Sequence, residues 1–580
     1  METHRKLGSA RRTADRLATN SASGSVTSIV SFSILLFCGT CLVRAQTTPE
    51  VERNVRTLYE RGDWAGAINA VSEANPLSKD LYLYQGLAMA RLGRLDEAER
   101  VFLHARQIYP DDPRFALELA GVAYRNKDHV AAKQYLHKAL RLAPADNYGN
   151  DFLASLYMLD GNLEAALKYW NRIGQPLVQT FQFAPVLELN PVLRERTFAI
   201  SPGQVFTRDR LLMTEANLDR LGVLSGYQFD LTPRQDQRFD LTFRSFETVR
   251  PRNFWLGQLL PAASGLPFRT IYFDHDNFGQ QAINLTSVWR WDPNKRRVAV
   301  NLSGPLNPRW LYRFAVDARD ENWELRTTYF GRAGGLQNLI LQKIETGASL
   351  EFGLTSKLQW TTGLWMVGRR FRNGDASQFF ANGWSFEQRN GLDYRLWAWP
   401  ERRVRVDASA RLQTGRLFTA PPSTFATVRG DLNGVWKPQS KGENVVVSAR
   451  MRAGRTFGTL PFDELFMLGM ERDNDLWLRG HVGTRDGRKG SAPLGSEYAL
   501  VQTEVDRTLL ELPLFRLQMG PFFDTGWITD PSRQFGSRAW MQDTGAQAKI
   551  TAIGRVKLTL VYGRDLREGR GVFYVAVSTR

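Results

Sequence analysis

Beyond residue 41 this 580-residue chain contains no cysteine, since both of its cysteines, Cys38 and Cys41, lie near the N-terminus. A mature protein starting after them has no thiol, which excludes disulfides, thiolate metal sites and cysteine catalysis. Neither cysteine has the small-residue context of a lipidation site. Histidine is scarce too: there are six, scattered, and His129 and His137 are not spaced as a helical metal pair. Phosphate-binding glycine loops and nucleophile elbows are absent, so no enzyme is expected and no cofactor or metal is assigned. Apart from Ile29 to Leu42 there is no long apolar run, and mean hydropathy is -0.35. That excludes a helical multi-span membrane protein. It does not exclude a β-barrel, whose lipid face takes only every second residue. Acidic residues are the minority charge, 59 against 76 basic, for a net +17. The basic residues are dispersed among aromatics and acids, so nucleic acid is not expected as a partner.

The N-terminus has the layout of an export signal. Arg5, Lys6, Arg11, Arg12 and Arg16 precede the apolar run, and Val43-Arg44-Ala45 offers a cleavage site before Gln46. Residues 1–45 are read as a signal peptide. The alternative is a short membrane anchor, against which the run falls short of the ~20 residues a span needs.

Residues 46–180 carry a period of 34: Gly86, Ala120 and Ala154 keep that spacing, as do Ala98, Ala132 and Ala166. Phe102, Leu136 and Trp170 fill a bulky position in the same register, and Pro76, Pro110 and Pro144 punctuate it. Small residues let the two helices of a hairpin approach, the bulky one fills the space between, and proline stops the second helix. The pattern resembles the tetratricopeptide repeat in about four copies, the first looser around Gly62 and Ala67. The resemblance implies an α-helical solenoid whose concave groove takes a periplasmic partner protein or a client segment, with a spacer as the alternative. The array is expected to fold alone from Gln46 to about Pro176.

From 184 to 248 the expected order is strand, helix, strand, strand. An extended segment from Val186 to Ile200 ends at Ser201-Pro202-Gly203. Thr207 then caps a helix with Leu211, Leu212, Ala216, Leu218 and Leu221 on its apolar face, closed by Gly222. Alternating runs follow at Tyr227–Leu231 and Phe239–Phe246. This small α+β segment resembles one POTRA domain, the periplasmic module of outer-membrane translocons. The resemblance implies capture of an extended client strand at an open sheet edge, expected on the final strand around Thr242.

From 260 to 580 alternation is pervasive. Val298, Val300 and Leu302 alternate with Arg297, Ala299 and Asn301, and similar runs recur at Tyr312–Ala318, Val404–Ala408, Val445–Ala449 and Val556–Leu560. With aromatics at 12% and an export signal, this is read as a transmembrane antiparallel β-barrel, with a secreted sandwich as the alternative. Leu478-Arg479-Gly480-His481 followed by Phe522-Phe523-Asp524-Thr525-Gly526 points to an arginine and an aspartate paired inside the lumen. Arginine presents a planar fork to a carboxylate, Gly480 permits close approach and Gly526 leaves room on the opposite strand. The bland alternative is a solvated rim pair.

These segments, with the closing strands to Gly571-Val572-Phe573, resemble the BamA and TpsB superfamily of outer-membrane assembly and secretion barrels. The resemblance implies about 16 strands and a long extracellular loop folded into the lumen, latched by Arg479 to Asp524 and Glu504. The sequence departs from the family at His481, where Phe or Tyr is usual, and at its end, Val577-Ser578-Thr579-Arg580, which lacks a terminal aromatic. Three functions follow: a translocase or assembly factor for an unfolded or secreted protein client, an export porin for polysaccharide or surface lipoprotein, or a barrel-anchored scaffold. Each places the barrel among outer-membrane lipid, with the helical array and the POTRA-like segment in the periplasm.

Overall fold

The computed structural model describes residues 48–580 except 73, 75, 237, 247–261, 326–335, 374–379, 420, 513–514, 530–535, 538, 553–555 and 579–580. The expected signal peptide lies outside the described residues.

Eight helices form four hairpins: α1 (Thr48–Glu60) with α2 (Trp64–Ser72), α3 (Lys79–Arg91) with α4 (Leu95–Ile108), α5 (Pro113–Arg125) with α6 (His129–Leu142), and α7 (Asn147–Leu159) with α8 (Leu163–Trp170). Side chains of Ser78, Asp112, Asp128, Asp146 and Asn162 cap α3, α5, α6, α7 and α8 by accepting from backbone N–H groups. Ala98, Ala120, Ala132, Ala154 and Ala166 are fully buried between helices. Gly86 shows why the repeat needs a small residue there: a Cβ would sit 2.4 Å from the ring of Phe102, the bulky position of the same hairpin.

A small module follows, with β1 (Val178–Ala184), α9 (Pro191–Thr197), α10 (Arg208–Leu221), β2 (Gly226–Pro233) and β3 (Phe239–Phe246). Its sheet runs β1-β3-β2, so β3 is the central strand. Three expectations are corrected by this module. The first strand is Val178–Ala184, ahead of the 184 boundary, while the segment expected to be extended from Val186 contains α9, started by Pro191 with Asn190 as its cap. Thr242 is not on an edge, because β3 pairs with β1 on one side and β2 on the other. Nor is the array a separate core. Leu167 and Trp170 of α8 share one buried cluster with Val178, Phe239, Leu241 and Phe243, the Trp170 and Phe239 rings 5.2 Å apart.

The remaining strands are β4 (Thr270–Phe278), β5 (Ile283–Asp292), β6 (Lys295–Asn307), β7 (Trp310–Leu325), β8 (Leu336–Gly353), β9 (Leu358–Arg372), β10 (Gly383–Trp399), β11 (Val404–Leu417), β12 (Ser423–Trp436), β13 (Val445–Gly458), the two-residue β14 (Phe466–Met467), β15 (Thr484–Arg485), β16 (Arg488–Lys489) and β17 (Leu494–Gly495), then β18 (Glu497–Leu512), β19 (Phe515–Thr529), β20 (Met541–Ala552), β21 (Val556–Asp565) and β22 (Gly571–Ser578). They form a closed barrel in which β13 pairs directly with β18, so the four short strands belong to a loop inside it. Among the described residues the wall has fifteen long strands, in keeping with the expected barrel of about sixteen.

The wall is inverted relative to a soluble protein. Phe314, Val316, Leu364, Met366, Leu432 and Val505 face outward and are exposed, whereas Arg369, Glu387, Asp524 and Asp543 face inward and are buried. Outward tryptophans gather at two levels, Trp289, Trp291 and Trp384 near one rim and Trp310, Trp360, Trp397, Trp399 and Trp436 near the other. An apolar band between aromatic girdles fits a lipid bilayer and would be costly in water. The array and the module sit against the second, near rim. Arg220 of α10 donates to Pro308 O at 3.0 Å, and Asn284 donates to Leu221 O at 2.8 Å.

Candidate functional site: a loop latched inside the barrel

Residues 459–496 leave β13 at the far rim and turn into the lumen. The reason is partly apolar: Phe466, Leu468, Leu476 and Leu478 pack on Tyr498, Leu500, Ile528 and Met541 of the wall. Phe462, Met467 and Leu494 pack on Trp323, Leu339, Leu341 and Phe371. Asn474 ties the fold of the loop together, donating to Gly469 O at 2.7 Å and Met467 O at 2.9 Å.

The tip carries Arg479. Its guanidinium donates to both carboxylate oxygens of Asp524, Nε to Oδ2 at 2.8 Å and Nη2 to Oδ1 at 2.6 Å, while its backbone N–H donates to Oδ2 at 3.1 Å. Nη1 reaches Glu504 at 2.7 Å and Gln547 at 2.8 Å. The flat cation lies 3.9 Å above the Phe522 ring. Leu478 is fully buried beside it. Gly526 makes room for the loop, since a Cβ there would lie 3.1 Å from Leu468 Cδ1 and 3.2 Å from Leu500 Cδ1. Gly480 donates its N–H to Asp543 Oδ2, and a Cβ there would sit 2.6 Å from that carboxylate.

Strand register adds a feature that sequence reading missed. Asp524 lies directly opposite Asp543, and Asp543 directly opposite Asp565, making a row of three buried carboxylates across β19, β20 and β21. Like charges so placed repel. Arg479 answers the first, and His481 stands between the other two, Nδ1 3.1 Å from Asp543 and Nε2 3.6 Å from Asp565. The departure at His481 thus puts an ionisable ring where the resemblance implies an aromatic one. His481, Asp543 and Asp565 also offer donor atoms within 4.8 Å of one another, the group among the described residues that could hold a cation.

Two further anchors went unseen in the sequence. Glu471 meets Lys295 at 3.3 Å, and Asp473 meets Arg290 at 2.7 Å and Arg297 at 2.5 Å. Asp463 and Glu464 meet Lys343 and Arg369 at 2.8 to 2.9 Å. Every wall partner is a charged residue at lumen parity, a signal visible in the alternation. Which of them meets the loop depends on barrel closure, which one strand's sequence does not carry. Gly563, whose Cβ would fall 1.8 Å from Arg479 O, likewise has no local signature.

Chemically the arrangement binds: charged, polar and apolar contacts hold the loop against the inner wall. Residues 459–496 occupy the lumen through ion pairs and apolar clusters spread around the circumference.

A family model described as Tetratricopeptide repeat matches residues 53–113 and 102–147. No curated protein sequence matches the chain. Among solved structures, BamA from Haemophilus ducreyi lacking POTRA domains 1-3 is similar at 11% identity over 70% of this chain and 84% of that one, with a TM-score of 0.40. CdiB from Escherichia coli is similar at 14% identity over 70% and 76%, with a TM-score of 0.46. CdiB from Acinetobacter baumannii is similar at 11% identity over 69% and 73%, with a TM-score of 0.41.

Proposed function

We propose that this chain is an outer-membrane translocase or assembly factor. Its helical array and POTRA-like module receive an unfolded protein client in the periplasm, and its barrel exports the client or inserts it into the membrane. The observation that carries this reading is the lumen loop, held by Arg479 between Asp524 and Glu504. A buried ion pair adds little net stability compared with apolar packing but fixes one geometry, as a releasable latch requires. A porin for polysaccharide would need an open lumen, which residues 459–496 fill. Docking of the N-terminal domains on the near rim supports delivery of a client into the barrel. Lys168 and Tyr169 reach Glu401 on the β10–β11 turn at 2.5 Å and 2.7 Å, and Asn162 donates to Pro400 O at 2.8 Å.

The test is Arg479→Ala, which leaves Asp524 buried and unanswered at a cost of about 3–5 kcal/mol to the loop's docking. The strand ladder is untouched, so the variant is expected to insert as a folded, heat-modifiable barrel. Its single-channel conductance should rise, and the secreted and outer-membrane proteome should match that of a deletion strain. A proteome identical to wild type would overturn the latch.

A further inference from the structure

On the outer wall near the far rim, strands β5 to β10 form a groove of about 820 Å³. Its floor follows from register: Val298 lies opposite Ala318, Ala318 opposite Ile344, Ile344 opposite Gly368 and Gly368 opposite Trp384. The side chains are small where the groove is deepest. Gly368 has none, and a Cβ there would lie 3.0 Å from the Trp384 indole and 3.1 Å from Ile344. Two residues further toward the far rim runs a polar row in which Arg296 lies opposite Asp320, Asp320 opposite Gln342 and Gln342 opposite Arg370. The two arginines stand three inter-strand steps apart, about 14 Å. Both are exposed, and neither lies within ion-pair distance of a carboxylate among the described residues. A lipid-facing arginine is costly unless an anionic group meets it.

We infer that this groove docks one lipid of the outer leaflet, a multiply acylated disaccharide carrying two phosphates. The phosphates sit at Arg296 and Arg370, whose forks suit phosphate oxygens. Between them the sugar hydroxyls donate to Asp320 and Gln342, and an acyl chain lies along Val298, Ala318 and Ile344 against the Trp384 ring. Two cations at this separation with acceptors between them match a disaccharide phosphorylated at both ends better than a glycerophospholipid, which has one phosphate. The inference rests on the outer-membrane reading, because that lipid is available only where the far rim meets the outer leaflet.

The experiment uses the full chain in nonionic detergent, with bound lipid counted by native mass spectrometry. The probes are a bis-phosphorylated hexa-acyl diglucosamine lipid, its monophosphoryl form and phosphatidylglycerol. One molecule of the bis-phosphorylated lipid is expected to be retained, at an affinity about tenfold or more above either other probe. Arg296→Glu with Arg370→Glu should remove this preference, and Ala318→Trp, which fills the floor and keeps both cations, should do the same. Heat-modifiable migration of each variant shows that the barrel is folded. Equal retention of the three probes, or parental binding by both variants, would overturn the inference. Fractionation of the chain with the inner membrane of a diderm host would overturn the outer-membrane reading instead, whatever the groove binds in micelles.

Discussion

Asp524, Asp543 and Asp565 stand abreast and buried on the lumen side of the wall, so the loop tip is held by relief of their mutual repulsion as well as by single bonds. Two side chains of the tip meet this row, Arg479 bridging Asp524 and Glu504 and His481 standing between Asp543 and Asp565. His481→Phe, which restores the aromatic implied by the resemblance, is expected to free the tip and expose residues 459–496 to protease added from outside. Adding Asp543→Asn should restore protection, since the amide oxygen still accepts from Gly480 while the repulsion falls. Limited proteolysis of intact cells checks both, and protection of the single variant equal to wild type would show that the ring has no electrostatic part. Arg479→Lys should hold the loop less well than arginine, because one ammonium does not span Asp524, Glu504 and Gln547 together.

At the scale of the element, the free edges of the small sheet are β1 and β2. Thr242→Pro in central β3 should therefore unfold the module, removing a ladder bond and straining two pairings. A photo-crosslinker at exposed Gln228 on β2 is expected to capture client where one at Thr242 captures none. Equal yields from the two positions would count against edge-strand pairing. Helix α10 carries a second test. Burial, aided by nearby Glu164, pushes the Glu215 carboxyl up to about 7. Its folded value exceeds its unfolded one, so the stability it brings is complete below about pH 4.3 and is lost as pH rises through about 7. Glu215→Gln should flatten that dependence and raise the helical melting temperature above about pH 8 by a few degrees, read by circular dichroism across pH. No gain at the alkaline end would contradict the buried-carboxyl account.

For the whole molecule, the decisive feature is the shared core that runs from α5 through α8 into the small sheet. A fragment ending at 176 bares Leu167 and Trp170, so it is expected to aggregate, whereas one ending at 246 should be a soluble monomer. Size-exclusion chromatography separates the two outcomes, and a monodisperse shorter fragment would mean that the array closes its own core. Docking on the barrel turn depends on Glu401. Burial opposes its ionisation, yet the hydrogen bonds from Lys168 and Tyr169 hold its carboxyl below the usual range.

By itself the sequence determined whatever repeats at a fixed interval. The 34-residue spacing of Gly86, Ala120 and Ala154 dictated helical hairpins because small residues must recur where helices touch, and the two-residue alternation of Val298, Val300 and Leu302 dictated strands with one apolar face. Arg479, Gly480 and Asp524 stood out because an arginine–glycine pair in a loop and an aspartate on an alternating strand invite pairing. Only the tertiary structure decided what depends on which strands become neighbours. The Asp524–Asp543–Asp565 row, the Lys343 and Arg369 anchors, the central place of β3 and the fusion of array and module into one core all join residues far apart in the chain. Their meeting is set by strand register, barrel closure and packing, which no single segment's pattern encodes.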